Sequence, residues 1–416
     1  MADNDVFRDE SGKHVAFKEV PRFHALYAYH TNRPDRHRHA SNVSDTVTDN
    51  GAACSDPSSQ PTVLDFLQQE EVTNRDFSLS VLATDLTADN ETDLRGFLAK
   101  RFSRGTVYSG TGNVAALDFS ISEDSDSPVV CYFCLLRPSH CASSQLETDH
   151  EGTVCSQEYI ACFITNETGV LDYYRDELGE HCKMLLPMLE AESMDLPQIQ
   201  EHLSEWYNAS VMFASRCVEK LKDGVAYLIH MALLGLKLEI DGDDDKFKSD
   251  VKKFIKCCSL SELIQHKSPS SEARGSPEVP PGGSLLPASM DGDGERTVWL
   301  SVRDDAAEFS STECNSFCQK WAEALLKSPS GGAVHVREVI ESYKLKTIQN
   351  MNIVKRLIRQ AENDHYALYR CFIFLQQSGN HDILLEMVRS EQQFTSSVDA
   401  KNVVSILGEF LQAVVA

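Results

Sequence analysis

The sequence predicts an α+β protein: an N-terminal, mostly antiparallel sheet with helices, followed by an α-helical C-terminal region. Three observations carry that reading. Alternating apolar stretches in the first part of the chain are separated by single helical segments and, among the later ones, by tight returns. After Pro197 the apolar period changes to three or four and stays there. Near the C-terminal end, Val334 to Gln377 contains neither proline nor glycine and keeps a helical period throughout.

The elements follow in order. Residues 1–22 read as a disordered N-terminus. Phe23 to His30 reads as a strand with Phe23, Ala25, Tyr27 and Tyr29 on one face. From Thr31 to Gln60 the composition turns to Ser, Asn, Asp, Thr and Gly, with too little apolar surface to offset ordering entropy, and residues 31–60 read as a disordered loop. Phe77, Leu79 and Val81 alternate as a second strand. The helix that follows carries Leu94, Phe97, Leu98 and Phe102, has Arg95, Lys100, Arg101 and Arg104 as its charged side, and ends at Gly105. Three further strands read at Val114–Ile121, Val129–Leu136 and Tyr159–Thr165. Val170 to Leu186 reads as one helix, begun after Gly169 and stopped by Pro187. Residues 23–190 thus make an α+β domain, for which a longin-like or profilin-like layout is the architectural expectation.

A helical region at 191–265 follows. Trp206, Met212, Phe213, Cys217, Leu221, Tyr227, Leu228, Met231 and Leu234 belong to one long helix or two shorter ones, and Phe247, Val251, Phe254 and Ile255 to another. Residues 266–294, rich in Ser, Pro and Gly, read as a disordered linker. In the C-terminal domain, 295–416, Thr297 to Val302 reads as a strand returning to the first domain's sheet. Helices are predicted at Glu313–Lys327, through the central stretch, at Asp382–Gln392 and at Ala400–Val415. No repeat of solenoid period is evident.

In the central stretch Ile340, Tyr343, Thr347, Met351, Val354, Ile358, Ala361, His365, Leu368, Phe372 and Leu375 follow at steps of three or four. Unbroken, such a helix would run about 66 Å at roughly 1.5 Å per residue, so a break is expected near Asn350-Met351-Asn352. Lys355, Arg356, Arg359, Tyr366 and Arg370 fall opposite the apolar stripe. The plain reading is a buried helix with a solvated back. The sharper one is a positive strip displayed for an acidic partner.

The totals narrow the function. The 416 residues suggest two or three domains, and 42% hydrophobic with 25% charged residues is an ordinary globular balance. A formal charge of −24 argues against nucleic-acid binding and against adhesion to anionic membrane. The polar N-terminus is no secretory signal, and the longest apolar run, Val225 to Leu236, is too short to span a bilayer, so membrane contact is expected only indirectly. Thirteen cysteines in such a chain fit a reducing cytosol better than a disulfide framework. The sequons at Asn90 and Asn166 are then expected to be silent.

Constellations that could carry chemistry fail on geometry. Cys131 and Cys134 stand three apart on a strand and point to opposite faces, and no second pair completes a metal set. Cys314 and Cys318 share a helical face with Trp321, which reads as core, and Cys257-Cys258 cannot both face one site from a helix. His37-Arg38-His39 lacks a carboxylate or thiol at ligand spacing. Gly105, Gly110 and Gly112 lack the Gly-Lys-Ser/Thr and the helix of a phosphate loop, and Asp241, Asp243 and Asp245 lack the glycine and final glutamate of a calcium loop. No catalytic, cofactor or metal site is therefore expected. Ser268-Pro269, Ser276-Pro277 and Ser328-Pro329 are weak candidates for phosphorylation.

Several blocks resemble the Njmu-R family: Asp76 to Ser80, Leu94 to Gly105, Gly112 to Ala115, Leu345 to Gln349, Lys355 to Glu362, His365 to Tyr369 and Ala400 to Val404. They span most of the chain from Phe23 onward, while 31–60, 266–294 and the extreme N-terminus look different. The resemblance implies a non-enzymatic scaffold or adaptor subunit of a three-protein assembly with a WD-repeat protein and a FAM ninety-one family protein. That assembly supports golgin-mediated capture of endosome-derived vesicles at the trans-Golgi network, through a TBC-domain golgin-bridging protein. It implies a cytoplasmic, peripheral location at the trans-Golgi network and vesicles, and a role in spermatogenesis has been proposed for the family. No family site residue carries over; the partner-binding candidates remain Lys355, Arg356, Arg359, Tyr366 and Arg370. Two rivals are a longin-like regulator of a small GTPase and a metal- or thiol-dependent enzyme using Cys131 and Cys134.

Overall fold

The computed structural model describes residues 21–31, 77–103, 112–119, 128–138, 157–167, 169–191, 193–261, 297–303, 306–327, 332–391 and 397–415. The expected loop at 31–60, the linker at 266–294, the three Ser-Pro pairs, His37-Arg38-His39 and Gly105 lie outside the described residues or at their edge. The chain divides into two compact units, Met1–Val211 and Met212–Ala416.

The first unit is built on a five-stranded sheet of β1 (Arg22–Thr31), β2 (Phe77–Thr84), β3 (Asn113–Ala116), β4 (Val130–Leu136) and β5 (Gln157–Thr165). Its order is β2-β1-β5-β4-β3, with every neighbouring pair antiparallel. The α+β, antiparallel expectation is met. In β4 and β5 nearly every side chain is buried, because helices cover both faces. On one face α1 (Ala88–Ser103) sets Leu94, Leu98 and Phe102 against Ala25, Tyr27, Cys131, Phe133, Ile160 and Cys162. On the other, Phe163 stacks between Tyr132, at 5.9 Å, and Trp206, at 5.1 Å. Fully burying such a ring stabilises by about 1.5–3 kcal/mol. Gly112, at φ 73°, faces the Tyr132 ring so closely that a Cβ would collide with it.

The predicted single helix after Gly169 is instead three short ones, α2 (Val170–Tyr173), α3 (Arg175–Lys183) and α4 (Leu186–Leu189). Pro187 does not stop the last of them. It sits in its first turn, where a missing N–H costs nothing. α5 (Leu196–Ser204), capped by Asp195, and α6 (Trp206–Ser210) follow in the same unit.

The second unit begins with α7 (Phe213–Leu221), α8 (Val225–Leu234) and α9 (Asp245–Cys258). A small sheet joins β6 (Lys237–Asp241), β7 (Thr297–Arg303) and β8 (Ala306–Phe309) in the order β6-β7-β8. Here the structure corrects the sequence reading. The strand at Thr297 does not return to the first sheet; it pairs in parallel with β6, Leu238 opposite Val298 and Ile240 opposite Leu300. Lys237–Asp241 is short and half-buried, so its alternation is too brief to stand out.

Among the described residues five helices follow: α10 (Ser316–Leu326), α11 (Ala333–Ala361), α12 (His365–Ser378), α13 (His381–Ser390) and α14 (Val398–Val415). α11 packs along the other four. The expected break near Asn350 is not there. Asn350 is buried inside α11, with its amide 3.5 Å from the side-chain oxygen of buried Asn380, so the helix keeps it. The chain turns instead at residues 362–364, where the Asp364 carboxylate accepts from Tyr366 N at 2.9 Å and starts α12. No helix among the described residues is long and apolar enough to cross a membrane.

Candidate interaction surface

The apolar stripe of α11 is as read from the sequence. Ile340, Tyr343, Thr347, Met351, Val354, Ile358 and Ala361 are all buried. Beyond the turn the stripe changes phase. In α12 the buried residues are Ala367, Cys371 and Leu375, while His365 is exposed and Leu368 and Phe372 are half-buried. Three non-helical residues interrupt the 100° step, so one periodicity cannot be carried across them. Phe372 meets Phe410 of α14 edge-on at 6.3 Å, and Phe410 itself is 52% exposed.

The five candidate residues do not share one open face. Lys355 is not on the open face. Its ammonium forms an ion pair with Glu391, just past the end of α13, and only 18% of its side chain is exposed. Arg356 and Arg359 are exposed on α11. Tyr366 and Arg370, one turn apart on α12, are exposed too, and Tyr366 is 67% accessible. Sequence reasoning missed Tyr369, 58% exposed beside Arg370. A continuous helical period places position 369 between stripe and back, so only the restart at Asp364 reveals it. Between Tyr343 and Phe372 the charges are Lys344, Lys346, Lys355, Arg356, Arg359 and Arg370 against Glu362 and Asp364, inside a chain of net charge −24. Arginine and tyrosine at an open face can pair with carboxylates and bury ring area with little entropy loss.

The cysteine pair considered for chemistry does not converge. Cys131 joins Cys162 in the core beneath α1, whereas Cys134 lies on the opposite face with Cys182 of α3. Burial pushes the Cys162 thiol well above its ordinary value, as expected of a sealed sulfhydryl. The acidic run at 241–245 serves as a helix start: Asp244 caps α9 by accepting from Phe247 N at 2.9 Å and also meets Lys220.

The class of molecule is thus a two-unit α+β and helical protein with Arg356, Tyr366, Tyr369 and Arg370 exposed on two adjoining helices of its second unit. The chain belongs to the Njmu-R1-like protein family, which matches residues 39–413. It is similar to Protein Njmu-R1 of Mus musculus, 32% identical over 350 residues, 83% of either chain. No solved structure matches it.

Proposed function

We propose that this protein is a non-enzymatic scaffold or adaptor subunit of an assembly with a WD-repeat and a FAM ninety-one family protein. In this reading the assembly supports golgin-mediated capture of endosome-derived vesicles at the trans-Golgi network, in the cytoplasm, with a TBC-domain bridging protein as its link to golgins. Family membership supports the class of role. The observation that supports surface recognition is the set Arg356, Tyr366, Tyr369 and Arg370, exposed on two adjoining helices of an acidic protein. Such a face meets an acidic partner surface by charge steering, with the tyrosines as anchors.

The test is co-purification of the Arg356→Glu, Tyr366→Ala, Arg370→Glu triple variant with the assembly from cells, at low and moderate salt. The folded variant is expected to recover markedly less of both partners, with the deficit largest at low salt. Equal recovery at both salt concentrations would remove this face from the interface. A second reading, regulation of a small GTPase, draws on the sheet order β2-β1-β5-β4-β3 with helices on both faces, an antiparallel sheet for which a longin-like or profilin-like layout was the expectation. Nucleotide-dependent capture of a GTPase on the immobilised chain favours that reading; its absence favours the scaffold.

A further inference from the structure

Within the second unit, the end of α7 and the start of α9 line an open cleft of about 480 Å³. A space of that size suits a small molecule rather than a single ion. Two ion pairs tie its walls together. Arg216 reaches across from α7 with two nitrogens, 2.7 and 2.9 Å from the two oxygens of buried Asp250. Lys220 sets its ammonium 3.3 Å from Oδ2 of Asp244 and 4.3 Å from the centre of the Phe247 ring. The other oxygen of Asp244 is the one that caps α9.

Two further lysines line the cleft without such a task. Lys222 and Lys246 are exposed, and neither has a carboxylate partner among the described residues. Both stand where local rules disfavour a lysine. Lys222 ends α7 at φ 49° and ψ −123°, and among the described residues it is the one non-glycine at positive φ. A glycine would take that conformation freely, as it commonly does past a helix end. Lys246 lies in the first turn of α9, at the helix end whose partial positive charge repels cations. Strain at one position and repulsion at the other both put a lysine on the same cleft. Departures of this kind from local preference gather at functional sites.

The cleft offers both signs of charge. With Arg216 matched by Asp250 and Lys220 by Asp244, Lys222 and Lys246 remain for an anion. Exposed Glu219 and the free lone pairs of Asp244 remain for hydrogen-bond donors. A phosphate group uses the first set and a hydroxyl the second. We propose that the cleft binds a soluble phosphorylated polyol, a sugar phosphate or an inositol phosphate. Its phosphate lies on Lys222 and Lys246 and its hydroxyls on Glu219 and Asp244. A bare polyphosphate chain would set its charge against those carboxylates, and a nucleic-acid strand would meet a protein of net charge −24. The same net charge sets the free compound ahead of a membrane-borne headgroup, because an anionic bilayer repels the chain as a whole.

The experiment titrates the full chain by calorimetry at low salt with glucose phosphate, inositol monophosphate and inositol trisphosphate. Glucose, inositol and inorganic phosphate are the controls. A phosphorylated polyol is expected to bind once per chain, about tenfold or more tighter than inorganic phosphate, while the unphosphorylated polyols give no heat. Lys222→Gly removes the ammonium and the strain together, so the chain should melt no lower while affinity falls about tenfold. Lys246→Gln should weaken binding to a similar degree. Glu219→Ala should narrow the polyol phosphate's advantage over inorganic phosphate. No binding by any of the three at millimolar concentration overturns the proposal, and so does binding that Lys222→Gly and Lys246→Gln leave unchanged. Inorganic phosphate binding as tightly as the polyol phosphates would mean an adventitious ion only, and overturns it equally. In a last arm, phosphatidylcholine vesicles carrying phosphatidylinositol phosphate are sedimented with the chain. Capture there without binding of the free inositol phosphates would assign the cleft to a lipid headgroup and overturn the soluble ligand.

Discussion

The β4–β5 region of the first unit and the α11–α12 region of the second bury apolar residues by different rules. Along a strand the alternation is fixed at two, and a one-residue error would expose the whole set, so the pattern corrects itself. Cys131 and Cys134 fall on opposite faces as parity demands, and Phe133 stands opposite Cys162 on the same face. Along the helices the period holds only while the helix does. One three-residue turn at 362–364 moved the buried stripe from Leu368 and Phe372 to Ala367 and Cys371. Pattern reading is therefore safer across a hairpin than across a helical interruption.

The largest effect separates the two regions at their most buried points. Phe163→Ala removes a ring stacked between Tyr132 and Trp206 and should cost about 3–5 kcal/mol, read as a loss of denaturant midpoint at unchanged slope. A cost under about 1 kcal/mol would mean that the helical cover of that face does not hold it in place.

The second test bears on the phase change itself. Leu375, fully buried in both readings, should cost about 2–5 kcal/mol on truncation to Ala. Phe372→Ala should cost visibly less than a core phenylalanine, and His365→Ala should stay within about 0.5 kcal/mol as an exposed change. The reverse order, with His365 and Phe372 matching Leu375, would restore the single continuous stripe.

These comparisons also say what was legible. The antiparallel sheet, its five strands and the buried face of α11 follow from alternation and period, because each reflects a face that must be covered. The turn at residues 362–364 was signalled by Asn363-Asp364, a capping pair, yet Asn350 looked like the weaker point. Only the tertiary partner Asn380, thirty residues on, turns Asn350 from a helix breaker into a buried hydrogen-bonding residue. The same holds for the sheet of β6, β7 and β8 and for the link between His230 and Asp382, whose partners are far apart in sequence. On the candidate face, the excess of positive charge was legible, but the loss of Lys355 to Glu391 and the exposure of Tyr369 were not.

The smallest effect divides neighbours that the sequence treats alike. Lys355 and Arg356 are adjacent cations on α11, and a purely helical reading puts both on the solvated back. The structure gives Lys355 a half-sheltered partner in Glu391 and leaves Arg356 exposed. Reversing Lys355 to Glu sets two carboxylates together where an ion pair stood, and should destabilise by about 1 kcal/mol or more. Reversing Arg356 to Glu removes no packing and should stay within about 0.5 kcal/mol. Partner recovery should follow the opposite order once folding is matched, because only the exposed cation can steer an acidic surface. Urea midpoints for the two single variants, taken beside partner recovery at low salt, separate the roles. Equal midpoints with equal recovery would return Lys355 to the open face and show that the two cations act as one strip.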